Sequence, residues 1–172
     1  MKEPTTPEEL LELHKILRSD PQRYLQIVNE WIQDNPGNSH AFYDRHQAWM
    51  RIGEPRKALE DLNKAIALRT NQTALVARGE VYRYLGEYEK ALNDYHTGEA
   101  IDPAQWEEDA FGLLFEADAH ARLGDEEKAL ACCARLPEGF WTPGLKDAPA
   151  GDRVAVAGKL KLIAAEARRA RN

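Results

Sequence analysis

The side chains best suited to chemistry in this chain are five histidines, two adjacent cysteines and two acidic pairs. The histidines are His14, His40, His46, His96 and His120, and the cysteines are Cys132 and Cys133. A metal held on one helix face or loop calls for His-x-x-x-His or Cys-x-x-Cys spacing, and neither occurs. The histidines therefore read as scattered, with His46 and His120 on first helices and packed or partly exposed rather than catalytic. The pairs Glu107-Glu108 and Glu126-Glu127 are expected to be solvated helix starts, where the macrodipole favours negative charge. A disulfide between chain neighbours is strained, so the cysteines read as buried thiols. No Gly-x-x-x-x-Gly-Lys loop is present to cradle phosphate, and no Gly-x-Ser-x-Gly turn to raise a nucleophile. The residues give no catalytic, cofactor-binding or metal-binding set, and the expectation is a non-enzyme without cofactors.

What repeats is a scaffold. Gly53, Glu54, Lys57, Ala58 and Leu59 recur as Gly86, Glu87, Lys90, Ala91 and Leu92, and again as Gly124, Asp125, Lys128, Ala129 and Leu130. The glycines lie 33 and then 38 residues apart. A period of this size marks stacked supersecondary units, each a helix, a tight turn and a second helix. Glycine ends the first helix because it enters the left-handed region without a Cβ clash. The small Ala58, Ala91 and Ala129 let paired helices approach closely. Bulk comes from Phe42, Trp49 and Met50, then Leu75, Tyr82 and Leu85, on the first helices. On the second helices it comes from Leu59, Leu62 and Ile66, then Leu92, Tyr95 and Ile101, all at helical spacing.

Over roughly Ser39 to Leu136 this pattern resembles the tetratricopeptide-repeat family. The second unit matches best, through Gly79, Tyr82, Gly86, Tyr88, Ala91, Tyr95 and Pro103. The first keeps Phe42, Trp49, Gly53, Ala58 and Ala65 but has His46 for a small residue and Thr70 for proline. The third keeps Ala117, Gly124 and Ala129 but has His120 and Cys133 at bulky positions. The resemblance implies an all-α fold: a right-handed superhelix of stacked antiparallel helix pairs, an α-solenoid, with a C-terminal capping helix. The expected parts are a degenerate helix pair over 1–38, repeat units over 39–70 and 71–103, and a divergent unit over 104–136. A Pro/Gly loop over 137–151 and a final helix over 152–172 complete one domain. Arg45 and Arg78 hold equivalent places on first helices, and Asp61 and Asp94 on second helices. They are expected to pair, while Glu116 and Cys132 leave the third unit without such a pair.

In the degenerate pair, Thr6 caps a helix opened by Pro7, and Asp20-Pro21 restarts the chain. The extra residues around Trp106, Glu107, Glu108 and Asp109 are expected to lengthen the third unit's first helix or add a turn to it. In the loop, Phe140 and Trp141 either plug the last unit or bind a partner. The final helix carries Val154, Ala157, Leu160, Ile163, Ala164 and Ala167 as its apolar stripe. Six basic residues against Asp152 and Glu166 make it +4, leaving −10 on the rest of a chain whose net charge is −6. It serves as a cap, lies in the chain's own groove, or binds an acidic partner.

For function, the resemblance implies a concave groove of first helices that receives a protein segment. Groove-facing residues are His40, Tyr43, Gln47 and Met50, then Thr73, Val76, Glu80, Arg83 and Tyr84, then Phe111, Leu114, Asp118 and Arg122. The Lys/Asn/Arg clamp that some relatives use for a terminal carboxylate is missing, since Tyr43, Gln47, Phe111 and Phe115 occupy its positions. The expected partner is an unidentified protein or peptide, with self-association as the alternative. Net negative charge argues against nucleic acid. The start has no apolar leader and no run suits a membrane span, so a soluble, cytoplasmic protein is expected.

Overall fold

Three of the turns between helices are built alike. Gly53, Gly86 and Gly124 adopt φ of 79°, 78° and 81°. The N–H after each glycine donates to a carbonyl five residues back: Glu54 to Trp49 at 2.8 Å, Glu87 to Tyr82 at 2.9 Å and Asp125 to His120 at 2.9 Å. Each glycine N–H donates three residues back, to Met50, Arg83 and Ala121. This is the Schellman closure of a helix C-terminus. The acid after the glycine pairs with the motif lysine one turn on, Lys57–Glu54 at 3.7 Å, Lys90–Glu87 at 2.5 Å and Lys128–Asp125 at 3.2 Å. These exposed pairs set local geometry more than stability.

The computed structural model describes residues 3–144 and 149–171, and the chain is an all-α helical-repeat protein. It divides into two compact units, Met1–Ala74 and Leu75–Asn172. In the first, α1 (Pro7–Ser19) packs on α2 (Pro21–Asp34), α2 on α3 (Ser39–Arg51), and α3 on α4 (Pro55–Leu68). Thr6 and Glu9 form a capping box on α1, and Asp20 caps α2 through the Arg23 N–H. The core joins Leu13, Leu17, Tyr24, Val28 and Trp31 to Ala41 and Ala48. The following helix, α5 (Gln72–Tyr84), begins in this unit and continues into the next.

In the second unit come α6 (Tyr88–Ile101), α7 (Pro103–Glu108), α8 (Ala110–Arg122) and α9 (Glu126–Arg135). A two-residue ladder follows, β1 (Trp141–Thr142) antiparallel to β2 (Gly151–Asp152), then α10 (Arg153–Arg171). The residues around Trp106 form the separate helix α7 instead of extending α8. Asp102 and Asp109 cap the two starts through the Gln105 and Gly112 N–H groups, so the chain breaks between them. Trp106 is fully buried beside Tyr95, with ring centroids 6.0 Å apart, which gives this short helix its anchor. Arg135 ties α9 to α6 and α7 through Glu99 at 2.7 Å and Glu107 at 2.6 Å.

Both expected Arg–Asp pairs are present. Arg45 donates to both oxygens of Asp61 at 2.8 and 2.5 Å, and Arg78 to those of Asp94 at 2.8 and 2.7 Å. The carboxylates are buried, at 4% and 1% exposure. Asp61 also accepts from the Trp49 indole at 2.8 Å, and Arg45 donates to Asn29 at 2.8 Å. Buried, paired carboxylates of this kind are costly to orphan. The small residue Gly79 is likewise required: a Cβ there would lie 2.4 Å from the Tyr95 ring.

Several expectations are corrected by packing. Ile101 is 48% exposed, at the end of α6, instead of core. On α10 Leu160 and Ala164 are buried and Ala157 and Ile163 pack against the same core, as expected, but Val154 is 79% exposed and Val156 is the buried valine. Of the loop aromatics, Phe140 is buried against Phe111, with centroids 6.1 Å apart, whereas Trp141 is 65% exposed. The expected loop over 137–151 carries β1 and the first residue of β2, and its residues 145–148 lie outside the described residues. Cys132 and Cys133 are buried thiols, and burial pushes the Cys132 thiol up to about 12.

Candidate interaction surface

In the first unit, α3 presents one edge of a cleft of about 580 Å³. His40, Tyr43 and Asp44 line it from α3, and Arg69, Asn71 and Thr73 from the segment that ends α4 and begins α5. Three residues expected on the groove, His40, Tyr43 and Thr73, thus share one concavity. Asn38 caps α3 through the His40 N–H at 3.0 Å and also donates to Glu3 at 2.9 Å, holding the N-terminal segment at the cleft. Burial, with the charge of Glu3, raises the Asp44 carboxyl to about 6. The cleft therefore offers an amphipathic phenol, amide and hydroxyl groups and charges of both signs. Gln47 lines a second cleft of about 320 Å³ with Leu11, His14, Lys15 and Arg51. Met50 is half-buried. His46, one turn after Tyr43, is buried, and its Nδ1–H donates to the Tyr43 carbonyl. Its ring packs edge-on to Tyr43 at 4.8 Å, so it supports the cleft wall from behind.

In the second unit the expected groove residues separate into two groups. Tyr84 is 48% exposed, and Val76 and Glu80 are half-buried. Arg83 and Asp118, in contrast, are interior, at 4% and 0% exposure, and bonded to each other at 2.9 Å. Arg122 donates to the same carboxylate at 3.0 Å. The Arg83 guanidinium also stacks over the Phe115 ring, 4.7 Å from its centroid. These three side chains form a structural cluster rather than an open contact surface. On the same helix, Leu114 is fully buried and Phe111 is 45% exposed.

The histidines are not all scattered. His96 on α6 and His120 on α8 converge on Glu116, with His96 Nε2 3.3 Å from Glu116 Oε1. A search for paired histidines within one helix misses this set, because its spacing is Glu-x-x-x-His plus a ligand from the preceding helix pair. No helix among the described residues is long and apolar enough to cross a membrane.

Comparison with known proteins agrees with this architecture. The tetratricopeptide repeat pattern matches residues 73–105. Mouse (Mus musculus) DnaJ homolog subfamily C member 3 is 32% identical over 94 residues, 54% of this chain and 19% of that protein. The Hsp70-Hsp90 organizing protein of Triticum aestivum is 30% identical over 86 residues, 48% of this chain and 15% of that protein. The chain thus spans about a fifth or less of the curated relatives it matches. Among solved structures, MamA aligns with a TM-score of 0.67 at 17% identity, over 98% of both chains. YrrB, described as a TPR protein with an unusual peptide-binding site, aligns with a TM-score of 0.68 at 17% identity, over 94% of this chain and 76% of its own. At these identities the structures show a common fold. The repeated glycine turns, the paired helices and these likenesses together show a chain that carries a tetratricopeptide repeat over residues 73–105 within a helical-repeat fold.

Proposed function

We propose that the protein is an interaction scaffold or adaptor that binds a peptide or helical segment through the first-helix faces of its repeats. The observation that carries this reading is the cleft of about 580 Å³ in which His40, Tyr43 and Thr73 meet. Tyr84, Val76 and Glu80 offer further surface in the second unit, whereas Arg83, Asp118 and Arg122 support the scaffold. YrrB, a protein of the same fold, has a peptide-binding site, which favours this use of the surface here. The test is selection of binders from a random-peptide display library, followed by anisotropy titration of a selected peptide. Tyr43→Ala should weaken binding by about 1–2 kcal/mol with helicity intact, as removal of an aromatic anchor does. Unchanged affinity in both Tyr43→Ala and Tyr84→Ala would count against the proposal.

A second reading is self-association, favoured by Leu10 and Leu11 on α1, which are 45% and 58% exposed. It predicts a concentration-dependent oligomer by sedimentation that Leu11→Glu disperses. A monomer at high micromolar concentration excludes it.

We assign α10 the role of a cap on the last hairpin. Val156, Leu160 and Ala164 sit in the core with α8 and α9, and Arg168 donates to the Gly124 carbonyl at 3.0 Å. Hydrogen exchange on a chain ending near Ala150 should show lost protection in α8 and α9. Protection lost instead along Val76, Glu80 and Tyr84 would place the helix on the binding surface.

A further inference from the structure

We infer that His96, Glu116 and His120 form a binding site for a borderline divalent transition metal of the zinc class. Glu116 and His120 lie one turn apart on one face of α8, and His96 reaches them from α6. One ligand atom from each lies within 4.8 Å of the other two. Ligand atoms at about 2.0–2.1 Å from a tetrahedral zinc stand roughly 3.3 Å apart. The 3.3 Å between His96 Nε2 and Glu116 Oε1 is already that edge. His120 closes the set by a side-chain adjustment, its ring centroid lying 6.2 Å from that of His96.

The surroundings suit a cation. Glu116 and His120 are buried, at 3% and 6% exposure, while His96 is exposed, so the site has fixed ligands inside and an entry path outside. The other Glu116 oxygen, Oε2, faces Arg135 at 3.8 Å, and Arg135 is itself held by Glu99 and Glu107. An outer contact of this kind orients a ligating carboxylate. Glu116, Glu99 and Glu107 outweigh Arg135 in charge, and Asp125 and Lys128 act on His120 with opposite signs. Two imidazoles and one carboxylate select zinc, cobalt or nickel over magnesium and calcium, which prefer all-oxygen sites. Three protein ligands leave a coordination position for water. A bound metal would join α6 to α8, which belong to consecutive repeats within the second unit.

The test uses the full-length chain without an affinity tag, stripped with chelator, and titrated with zinc by calorimetry and with cobalt by visible absorption. The expected result is saturable one-to-one binding, a cobalt d–d band of low-symmetry four- or five-coordinate type, and no competition from excess magnesium. His96→Ala, at an exposed position that leaves folding intact, should weaken binding by more than about tenfold. His120→Asn should do the same, and zinc should raise the melting temperature of the parent chain but not of either variant. Absence of saturable binding, or equal affinity in the parent and His96→Ala, overturns the assignment. The 3.3 Å contact between His96 and Glu116 would then be all that the cluster does.

Discussion

Arg83 and Asp118 stand 35 residues apart in the chain and meet at 2.9 Å with 2% and 0% of their side chains exposed. The carboxylate also receives Arg122, so one buried negative charge organises two guanidinium groups from α5 and α8. Breaking such a pair leaves an uncompensated charge in a low-dielectric interior. Asp118→Ala should therefore destabilise the protein by about 3–5 kcal/mol in urea denaturation. Arg83→Ala combined with Asp118→Ala should cost less than the sum of the single changes. Additive costs would show that the contact carries no coupling.

The two repeated Arg–Asp pairs differ in one respect. Asp61 accepts from the Trp49 indole as well as from Arg45, whereas Asp94 accepts its side-chain bonds from Arg78. Asp61→Ala should cost more stability than Asp94→Ala, by about 1 kcal/mol for the additional buried hydrogen bond. Equal urea midpoints for the two variants would contradict this.

Gly79 faces the Tyr95 ring so closely that an added Cβ would lie at 2.4 Å from it. The ring is fully buried and cannot swing into solvent. Gly79→Ala should destabilise by about 1–3 kcal/mol despite alanine's better helix propensity, because overpacking outweighs the gain. Tyr95→Leu in the Gly79→Ala background should recover part of the loss. Recovery measured as zero would place the strain elsewhere.

His46 and Asp44 oppose each other as acid is added. Burial lowers the His46 pKa from 6.5 to about 4, so the folded state holds it neutral while the unfolded chain takes up a proton below 6.5. Its stabilising effect is complete above pH 6.5 and is lost as pH falls toward 4, to an extent of about 3 kcal/mol. Asp44 has the reverse sign: raised from 3.8 to about 6, it takes up its proton first in the folded state and adds stability as pH falls through 6. Asp44→Asn should therefore steepen the loss of stability between pH 6.5 and 4 relative to the parent, and His46→Asn should flatten it. Parallel stability–pH curves for all three proteins would refute this pairing of effects.

Much of the scaffold was legible because it is written more than once. Gly53, Gly86 and Gly124, and the pairs Arg45–Asp61 and Arg78–Asp94, announce themselves by recurring at equivalent places, and the structure places each as expected. The features that escaped occur once. Trp106 belongs to an insertion, and only the capping by Asp102 and Asp109 makes it a separate helix. On α10 the stripe was read from Val154, but packing on α8 and α9 buries Val156 and leaves Val154 exposed. Arg83 and Asp118 look like surface charges until their partner 35 residues away is known. The surface itself was partly legible. The family resemblance grouped His40, Tyr43 and Thr73, which line one cleft, but depth depends on neighbouring side chains that periodicity does not report.

The three glycine turns share one dihedral and one hydrogen-bond scheme. Each therefore hands the chain to its second helix at the same rotational phase, whatever sequence lies on either side. Cutting at Gly53 and rejoining at Gly86, or copying the segment between them, preserves which faces of the joined helices are apolar. The turns are natural splice points, and recombination there can add or delete a hairpin while leaving the remaining sequence legible to its own fold.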